Sequence, residues 1–443
     1  MPLRHSLLDL LFLISVAVIW LMIVYQLILT FAGYRYRHKI YAEQKKMGFD
    51  PRKLRPVSVM IPARNEGLVI ERTIQRVTAM EYPRDLLEVV IIDDGSTDQT
   101  AAIVSRMASE DARIKLVSLP AGETGHGKAY ALNAGLRRCS HDIIAIYDAD
   151  NRPQPDSLKI LVPHLLKDDH IAAVIGKFRT VNRHATWLTR FVNIETLAFQ
   201  WILQAGRYAM SRVALLPGTN YVIRRSVVEA CGGWDEKAIT EDSELSVRVY
   251  ESGYEIKFVP LSVTWEQEPE KLGTWIRQRI RWVRGNNYVI RKFAPDIVRF
   301  KSEFLVVDFI YLFALYYLFL GAVALSHLFF ILSGLGVVAL DIPGPYFAVW
   351  ISAYLLFVLE IVVVLSNEGE DSWKNVVYTF LMYFTYCQLW LFVVFKALIL
   401  DLRRQRVGVW DKTERFVTVE SFSAESLSTE SVRTESVRTE SFD

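Results

Sequence analysis

From Leu7 to Ala32 the chain is almost uninterruptedly apolar, which is longer than the roughly 20 residues needed to cross a bilayer. Such a segment cannot remain in water, so part of this chain folds against lipid. A cleaved leader would have a shorter apolar core and a small-residue cleavage site, so the segment reads as a retained span. Arg35, Arg37, His38 and Lys39 follow it directly and place the next residues in the cytosol. Three more apolar stretches come late: Phe304 to Leu332, Tyr346 to Ser366, and Val376 to Leu400. The charges gather between Arg35 and Lys301 and again after Asp401, which separates a soluble domain from lipid-compatible ends. The expected division is 1–34 as an N-terminal span, 35–300 as a cytosolic domain, 301–402 as C-terminal spans and 403–443 as a polar tail. The chain is thus expected to be an integral, multi-pass protein of the cell membrane.

Three late spans would leave the C-terminus outside, yet Arg403, Arg404, Arg406, Lys412 and Arg415 favour the cytosol. Either Phe304 to Leu340 crosses twice, or a late segment lies in the interface, or the tail breaks the positive-inside rule. Beyond Phe416, Thr429-Glu430-Ser431-Val432-Arg433 recurs from Thr434 and begins again at Thr439. Such a polar repeat builds no core and reads as disordered. Before it stands Trp410-Asp411-Lys412-Thr413, just inside the membrane if the tail is cytosolic. A net charge of +2, with no basic stripe interleaved with aromatics outside the membrane-flanking segments, speaks against a nucleic-acid polymer as partner. Cys139, Cys231 and Cys387 lack metal or redox spacing and read as buried thiols.

Between Pro56 and about Val263, short β-rich runs alternate with helical stretches, the pattern of an α/β, Rossmann-like domain with a largely parallel sheet. Strands are expected at Val57–Ile61, Val89–Ile92, Ile114–Val117, Ile143–Tyr147 and Ala172–Ile175. Helices are expected at Leu68–Met80, Asp98–Ala108, Lys128–Arg138 and Asp156–Leu166. In such folds ligands gather outside the carboxyl ends of the strands. Here those ends run into Arg64-Asn65-Glu66, Asp93-Asp94-Gly95-Ser96 and Asp148-Ala149-Asp150. Trp187 to Met210 and Lys271 to Phe293 mix aromatic and basic residues. Each reads as a helix on a membrane surface or as an amphipathic helix packed on the sheet.

Asp148 and Asp150 bring two carboxylates to one strand end, which suits a hard divalent cation completed by phosphate and water; an Asp-rich turn is the plainer alternative. Asp98 suits a helix cap, whereas Asp93 and Asp94 are not needed for one and sit where a nucleotide would cross the crevice. Lys128 opens a helix, where a phosphate is also favoured. Thr240-Glu241-Asp242 is either an N-cap with acids in the first helical turn or the source of a general base. Displacement at a carbon activated by a diphosphate needs a carboxylate to take the incoming hydroxyl proton, a task open to Asp242, while a metal stabilises the leaving group. Gln278 and Arg281 share a helical face, Arg281 suits a diphosphate, and Trp282 offers a flat ring to a sugar. A basic helix attracted to anionic lipid is the alternative.

The order of these motifs resembles the processive family 2 glycosyltransferases, which include cellulose, hyaluronan, chitin, poly-N-acetylglucosamine and mixed-linkage glucan synthases. Ile61-Pro62-Ala63-Arg64-Asn65-Glu66, Asp93-Asp94-Gly95-Ser96, Gly127-Lys128-Ala129, Asp148-Ala149-Asp150, Thr240-Glu241-Asp242 and Gln278-x-x-Arg281-Trp282 carry the resemblance, across roughly Pro56 to Asn286. It implies a GT-A-like cytosolic catalytic domain joined to α-helical spans and interface helices, and an inverting single displacement. It also implies a channel that carries the product outward. By similarity, Glu66, Asp93, Asp94 and Lys128 hold the nucleotide, and Asp148 and Asp150 engage the diphosphate through magnesium or manganese. Asp242 is the base, within Thr240-Glu241-Asp242, and Gln278, Arg281 and Trp282 line the acceptor's approach to the diphosphate. The same resemblance turns the Trp187 helix into an interface helix.

The acidic motif at Thr240 disfavours hyaluronan, and Leu216-Pro217-Gly218-Thr219-Asn220 departs from the segment usual in bacterial cellulose synthases. The expected activity is therefore synthesis of a β-glucan of another linkage from UDP-glucose, with poly-N-acetylglucosamine as its closest rival. The expected partners are a UDP-sugar, a growing polysaccharide, membrane lipid and an accessory secretion subunit. A non-processive lipid glycosyltransferase and an inactive membrane scaffold remain as alternatives, though every expected acidic position is filled.

Overall fold

The computed structural model describes residues 7–48, 50–300, 303–338 and 344–403. The five-residue repeat, the Trp410–Thr413 element and Arg404, Arg406, Lys412 and Arg415 lie outside the described residues.

One eight-stranded sheet forms the centre, in the order β3-β2-β1-β4-β7-β6-β8-β5. Its strands are β1 Val57–Ala63, β2 Leu87–Asp93, β3 Ile114–Ser118, β4 Ile143–Ile146, β5 Arg152–Pro153, β6 Ile171–Thr180, β7 Tyr221–Arg224 and β8 Glu255–Glu266. β1 pairs in parallel with both β2 and β4, and β2 with β3. Every residue of β1, β2 and β4 is buried, as continuous apolar strands covered on both faces must be. The five strands expected from the sequence all form, and the four helices between them form as α2 Ile70–Thr78, α3 Thr100–Glu110, α4 Lys128–Leu136 and α5 Ser157–Leu165.

The expected parallel character holds for the first half of the sheet and again where β6 pairs with β8, but it is interrupted between them and at the far edge. β7 runs antiparallel to both β4 and β6, and β5 antiparallel to β8. Register places Ala63 beside Asp93 and Met60 beside Ile146, so the loops after β1, β2 and β4 open on the same edge.

The N-terminal helix does not end with its apolar segment. It runs from Leu7 to Met47, about 60 Å at 1.5 Å per residue, twice the hydrocarbon thickness. Its second half is bound to the sheet: Tyr36 Oη donates to the Phe258 carbonyl at 2.6 Å, and Lys257 Nζ meets Glu43 at 2.6 Å. The expected boundary at residue 34 thus falls within a continuous helix.

Trp187–Ala198 (α6) continues through a π-helical turn, Phe199–Gly206, into Arg207–Ser211. This segment packs on the sheet on one side and on α1 on the other. Gln200 pairs with the backbone of Phe178 on β6, while a Cβ on Gly206 would lie 2.4 Å from the Leu29 carbonyl oxygen of α1. Glu241–Glu251 (α7) and Leu272–Phe293 (α8) follow.

Among the described residues, three helices are long and apolar enough to cross a membrane: α1, Leu305–Gly334 (α9) and Tyr346–Asn367 (α10). The stretch from Phe304 forms one helical run to Gly334, against the expectation's option of two crossings there. Trp373–Met382 (α11) and Tyr386–Leu402 (α12) pass the same test only together and are bent by 42°. The three cysteines are free, and only Cys139 is fully buried, which corrects the reading of all three as buried thiols.

Candidate active site

The loops after β1 and β2 are stitched into one edge. Asn65 adopts a φ of +55°, a turn conformation asparagine tolerates. Its N–H donates to Ser96 Oγ at 2.8 Å and its Oδ1 accepts from the Thr97 N–H at 2.7 Å. Asp98 accepts from the N–H groups of Gly67 and Thr100 at 3.0 and 2.9 Å; expected to cap the helix, it stands one residue before the N-cap of α3, Gln99, and ties the two loops to the helix start from there. Asp93 accepts from the Ser96 N–H at 3.1 Å. Glu66 is buried on the same edge, and its N–H donates to Thr100 Oγ1 at 2.8 Å.

Asp94 is fully buried. One carboxylate oxygen accepts from the Gly125 N–H at 2.7 Å; the other meets no hydrogen-bond donor, with Arg64 Nη1 at 3.7 Å. Burial raises its carboxyl above the usual range, opposed by the Gly125 N–H and Arg64. Such an orphaned acceptor is costly and leaves Oδ2 able to take one more donor.

Next along the edge, Lys128 at the start of α4 lies among three carboxylates. Its Nζ is 2.9 Å from Asp148, 3.7 Å from Glu241 and 3.8 Å from Asp242, and donates to the Gly218 carbonyl at 2.7 Å. Burial opposes its charge, but Asp148, Asp242 and Glu241 outweigh burial and raise its pKa. Glu241 is pushed up in turn by burial and by Asp242 beside it. Asp242 Oδ1 accepts from Tyr221 Oη at 2.6 Å and from the Trp234 indole at 3.3 Å. The other oxygen faces Lys128 and Gly218. Gly218 has a φ of +95°, and a Cβ there would lie 3.2 Å from Asp242 Oδ2, so both backbone and space call for glycine.

The Asp148 N–H is held by Asn151 Oδ1 and Thr219 Oγ1, each at 3.2 Å, and those two side chains bond each other. Asp148 remains partly exposed while Asp150 is buried. Among the described residues no group of three His, Cys, Asp or Glu side chains gathers as a metal site. The two oxygen-donor carboxylates nonetheless suit magnesium or manganese, which commonly take one or two carboxylates and complete their shell with phosphate and water.

Gln278, Arg281 and Trp282 lie on α8. That helix abuts Thr240 at Gly285, where a Cβ would fall 2.4 Å from Thr240 Cγ2. Thr240 stands at the N-cap position of α7, but its side chain makes no cap bond and its Oγ1 is buried without a hydrogen-bond partner. Trp282 is 37% exposed; Gln278 and Arg281 are half-buried.

The structure thus brings together Glu66, Asp93 and Asp94 on one stretch of the edge and Lys128, Asp148, Glu241 and Asp242 on the next, with Asp150 two residues beyond Asp148; Gln278, Arg281 and Trp282 lie on α8, which meets Thr240 at Gly285 and not through those three side chains. Sequence reasoning missed Tyr221, Trp234, Asn151 and Thr219. The only signal was the unusual Gly218-Thr219-Asn220 segment, which supplies the turn.

The family described as Glycosyltransferase like family 2 matches residues 54–285. The chain is 41% identical over 411 residues to a probable glycosyltransferase, YdaM, of Bacillus subtilis, covering 92% of this chain and 98% of that one. It is 30% identical over 250 residues to the poly-β-1,6-N-acetyl-D-glucosamine synthase of Staphylococcus aureus, covering 56% of this chain and 59% of that relative. In fold it is similar to a mannosyltransferase of Pyrobaculum calidifontis solved with GDP-mannose and Mn2+, with a TM-score of 0.61 and 22% identity over 89% of this chain and all of that one. A GT-A-like sheet, a family match over residues 54–285 and a relative spanning nearly the full chain lead to one conclusion: this protein is a glycosyltransferase of family 2.

Proposed function

We propose that the chain is a processive, inverting, membrane-bound glycosyltransferase that extends a β-linked polysaccharide from a UDP-sugar on the cytosolic side and passes the product outward. The observation that carries this reading is the convergence of Lys128, Asp148 and Asp242 at one strand edge, beside a buried Asp94 oxygen without a donor.

Asp94, with Asp93 and Glu66, takes the nucleoside, its unpaired oxygen accepting from a donor on the base or ribose. Lys128 meets the diphosphate as a fixed charge. Asp148 and Asp150 would hold magnesium or manganese, which when bound neutralises charge on the departing diphosphate. Trp282 stacks on the terminal sugar of the acceptor, and Gln278 and Arg281 line the junction of acceptor and diphosphate. Asp242 takes the proton of the acceptor hydroxyl as that oxygen bonds to the anomeric carbon. The bond from that carbon to the diphosphate breaks, UDP leaves with the bonding pair, and the proton remains on Asp242 until water removes it. Attack opposite the leaving group inverts the anomeric centre.

Glucose, the sugar expected first from the sequence, draws no support from the relatives, whereas N-acetylglucosamine draws it from the S. aureus synthase. UDP-N-acetylglucosamine is therefore the proposed donor. Incubating the full chain in detergent with magnesium and, separately, UDP-N-acetylglucosamine, UDP-glucose or UDP-glucuronic acid tests this by UDP release and digestion with linkage-specific glycosidases. Release with UDP-N-acetylglucosamine and a long β-linked product is expected. Release with another donor overturns the sugar, and a product of one or two residues on lipid overturns processivity.

A further inference from the structure

Arg279 stands inside the Gln278–Trp282 segment yet has no part in the mechanism above. It is almost fully buried, at 1% exposure, and makes three contacts that no other side chain there combines. Nη1 donates to Gln278 Oε1 at 2.8 Å. Its guanidinium carbon lies 4.0 Å from the centroid of the Trp282 ring, a close cation–π stack. Nη2 donates to Glu195 Oε2 of α6 at 2.7 Å. Burial opposes the charge, but Glu195 outweighs it and raises the pKa.

Glu195 is itself a junction. The same Oε2 accepts from Tyr386 Oη at 2.5 Å, and its Oε1 from the Trp390 indole at 2.9 Å. Tyr386 also accepts from the Trp275 indole at 2.9 Å. Tyr386 and Trp390 belong to α12, the last apolar helix described. The guanidinium thus touches two acceptor-side residues on one flank and, through one carboxylate, a membrane-flanking helix on the other.

We propose that Arg279 and Glu195 form a positioning pair that fixes Trp282 and Gln278 for the acceptor and ties that acceptor platform to α12. This rests on the reading of Trp282 as the acceptor's stacking partner. Lysine cannot take over the role, because an ammonium has no flat face to stack while also bonding in two directions. The carboxylate side is equally specific: a glutamine at 195 keeps the shape but loses the charge that balances the buried guanidinium.

The test uses the full chain in detergent with UDP-N-acetylglucosamine as donor and a short β-linked N-acetylglucosamine oligosaccharide as acceptor, with UDP affinity measured separately. Arg279→Lys and Glu195→Gln are each expected to raise the acceptor KM about tenfold, leaving UDP affinity within a factor of about two. The double variant should be little worse than either single one, because both break one shared contact. Glu195→Gln alone decides the matter if Arg279→Lys yields no folded protein. Trp282→Ala serves as the reference. If it raises the acceptor KM while Arg279→Lys and Glu195→Gln do not, the positioning pair is overturned and the proposed function stands. If Trp282→Ala leaves acceptor KM unchanged, the reading of Trp282 fails and the pair falls with it. Parallel loss of UDP affinity and folded yield, with no change specific to acceptor, would reduce the pair to packing and overturn the proposal.

Discussion

Two donors meet one oxygen of Asp242, and this arrangement decides which oxygen is left to act. Tyr221 is fully buried, and burial together with the Asp242 carboxylate holds its hydroxyl well above the ordinary tyrosine range, so it stays a donor. With Oδ1 taken, Oδ2 faces Lys128 and the glycine turn. Tyr221→Phe removes one hydrogen bond to a charged group, worth about 1.5–3 kcal/mol, and is expected to lower kcat by roughly 10- to 100-fold with UDP affinity unchanged. Steady-state transfer rates beside UDP binding would check this; a normal kcat would free Asp242 from Tyr221. Asp93, Asp94, Asp148 and Asp150 were legible because carboxylates ending apolar strands have no structural need to be there; Glu241 and Asp242, in the first turn of α7, were legible only through the order of the motifs. Tyr221 in its strand and Trp234 in the turn after Gly232-Gly233 were not legible, because a buried aromatic reads as core, and only the fold turns its polar atom toward an acid. Asn151 and Thr219 are ordinary loop residues until they are seen to hold the Asp148 N–H.

At the scale of elements, the end of α10 is locked to the sheet by buried charge. Glu368 accepts from Lys177 Nζ of β6 at 2.7 Å and from the Trp201 indole at 2.7 Å, and Glu370 meets Arg179 at 2.5 Å. Removing one partner of a buried pair leaves the other charge uncompensated, at about 3–5 kcal/mol. Glu368→Gln should lower the thermal unfolding midpoint by several degrees; an unchanged midpoint would show the latch to be dispensable. Burial raises the Glu368 carboxyl, but Lys177 and Arg179 outweigh it and hold its folded pKa below the usual range. Its contribution is therefore present above the ordinary carboxylate pKa and is lost as pH falls through the depressed value, so acid should loosen this contact. The first half of the sheet was legible from its uninterrupted apolar runs. In the second half β6 was legible by the same signal, but β7 and β8 were hidden: β7 runs directly into Arg224 and Arg225, and β8 carries Lys257, Pro260, Ser262 and Thr264, which breaks the apolar run by which strands are recognised.

Across the whole molecule, the paths of the late helices bear on the conflict between span count and basic tail. α9 leaves the catalytic domain and α10 ends against it at Glu368, an out-and-back pair. The segment after it begins with Asn375 bonded to Arg190 and ends with Asp401 bonded to Arg284 and Asn287 of α8. Both of its ends meet groups of the catalytic domain, which supports the interfacial option for α11 and α12 and a cytosolic tail. A reporter fused after Asp443 is expected to be active and protease-sensitive on the cytosolic side; an external reporter would make α12 a full crossing. Sequence could not decide this, because a helix lying in the interface and one crossing it can share the same apolar composition.

The most direct test compares the wild-type chain with Asp242→Asn, using UDP-N-acetylglucosamine and magnesium, and measures UDP release and UDP binding on the same preparations. Asparagine keeps the size and the contacts of Asp242 but cannot take the acceptor proton, so turnover should fall by about 100-fold or more while UDP binds as before. Turnover near the wild-type rate in Asp242→Asn would remove Asp242 from the base role and contradict the proposed chemistry of the site.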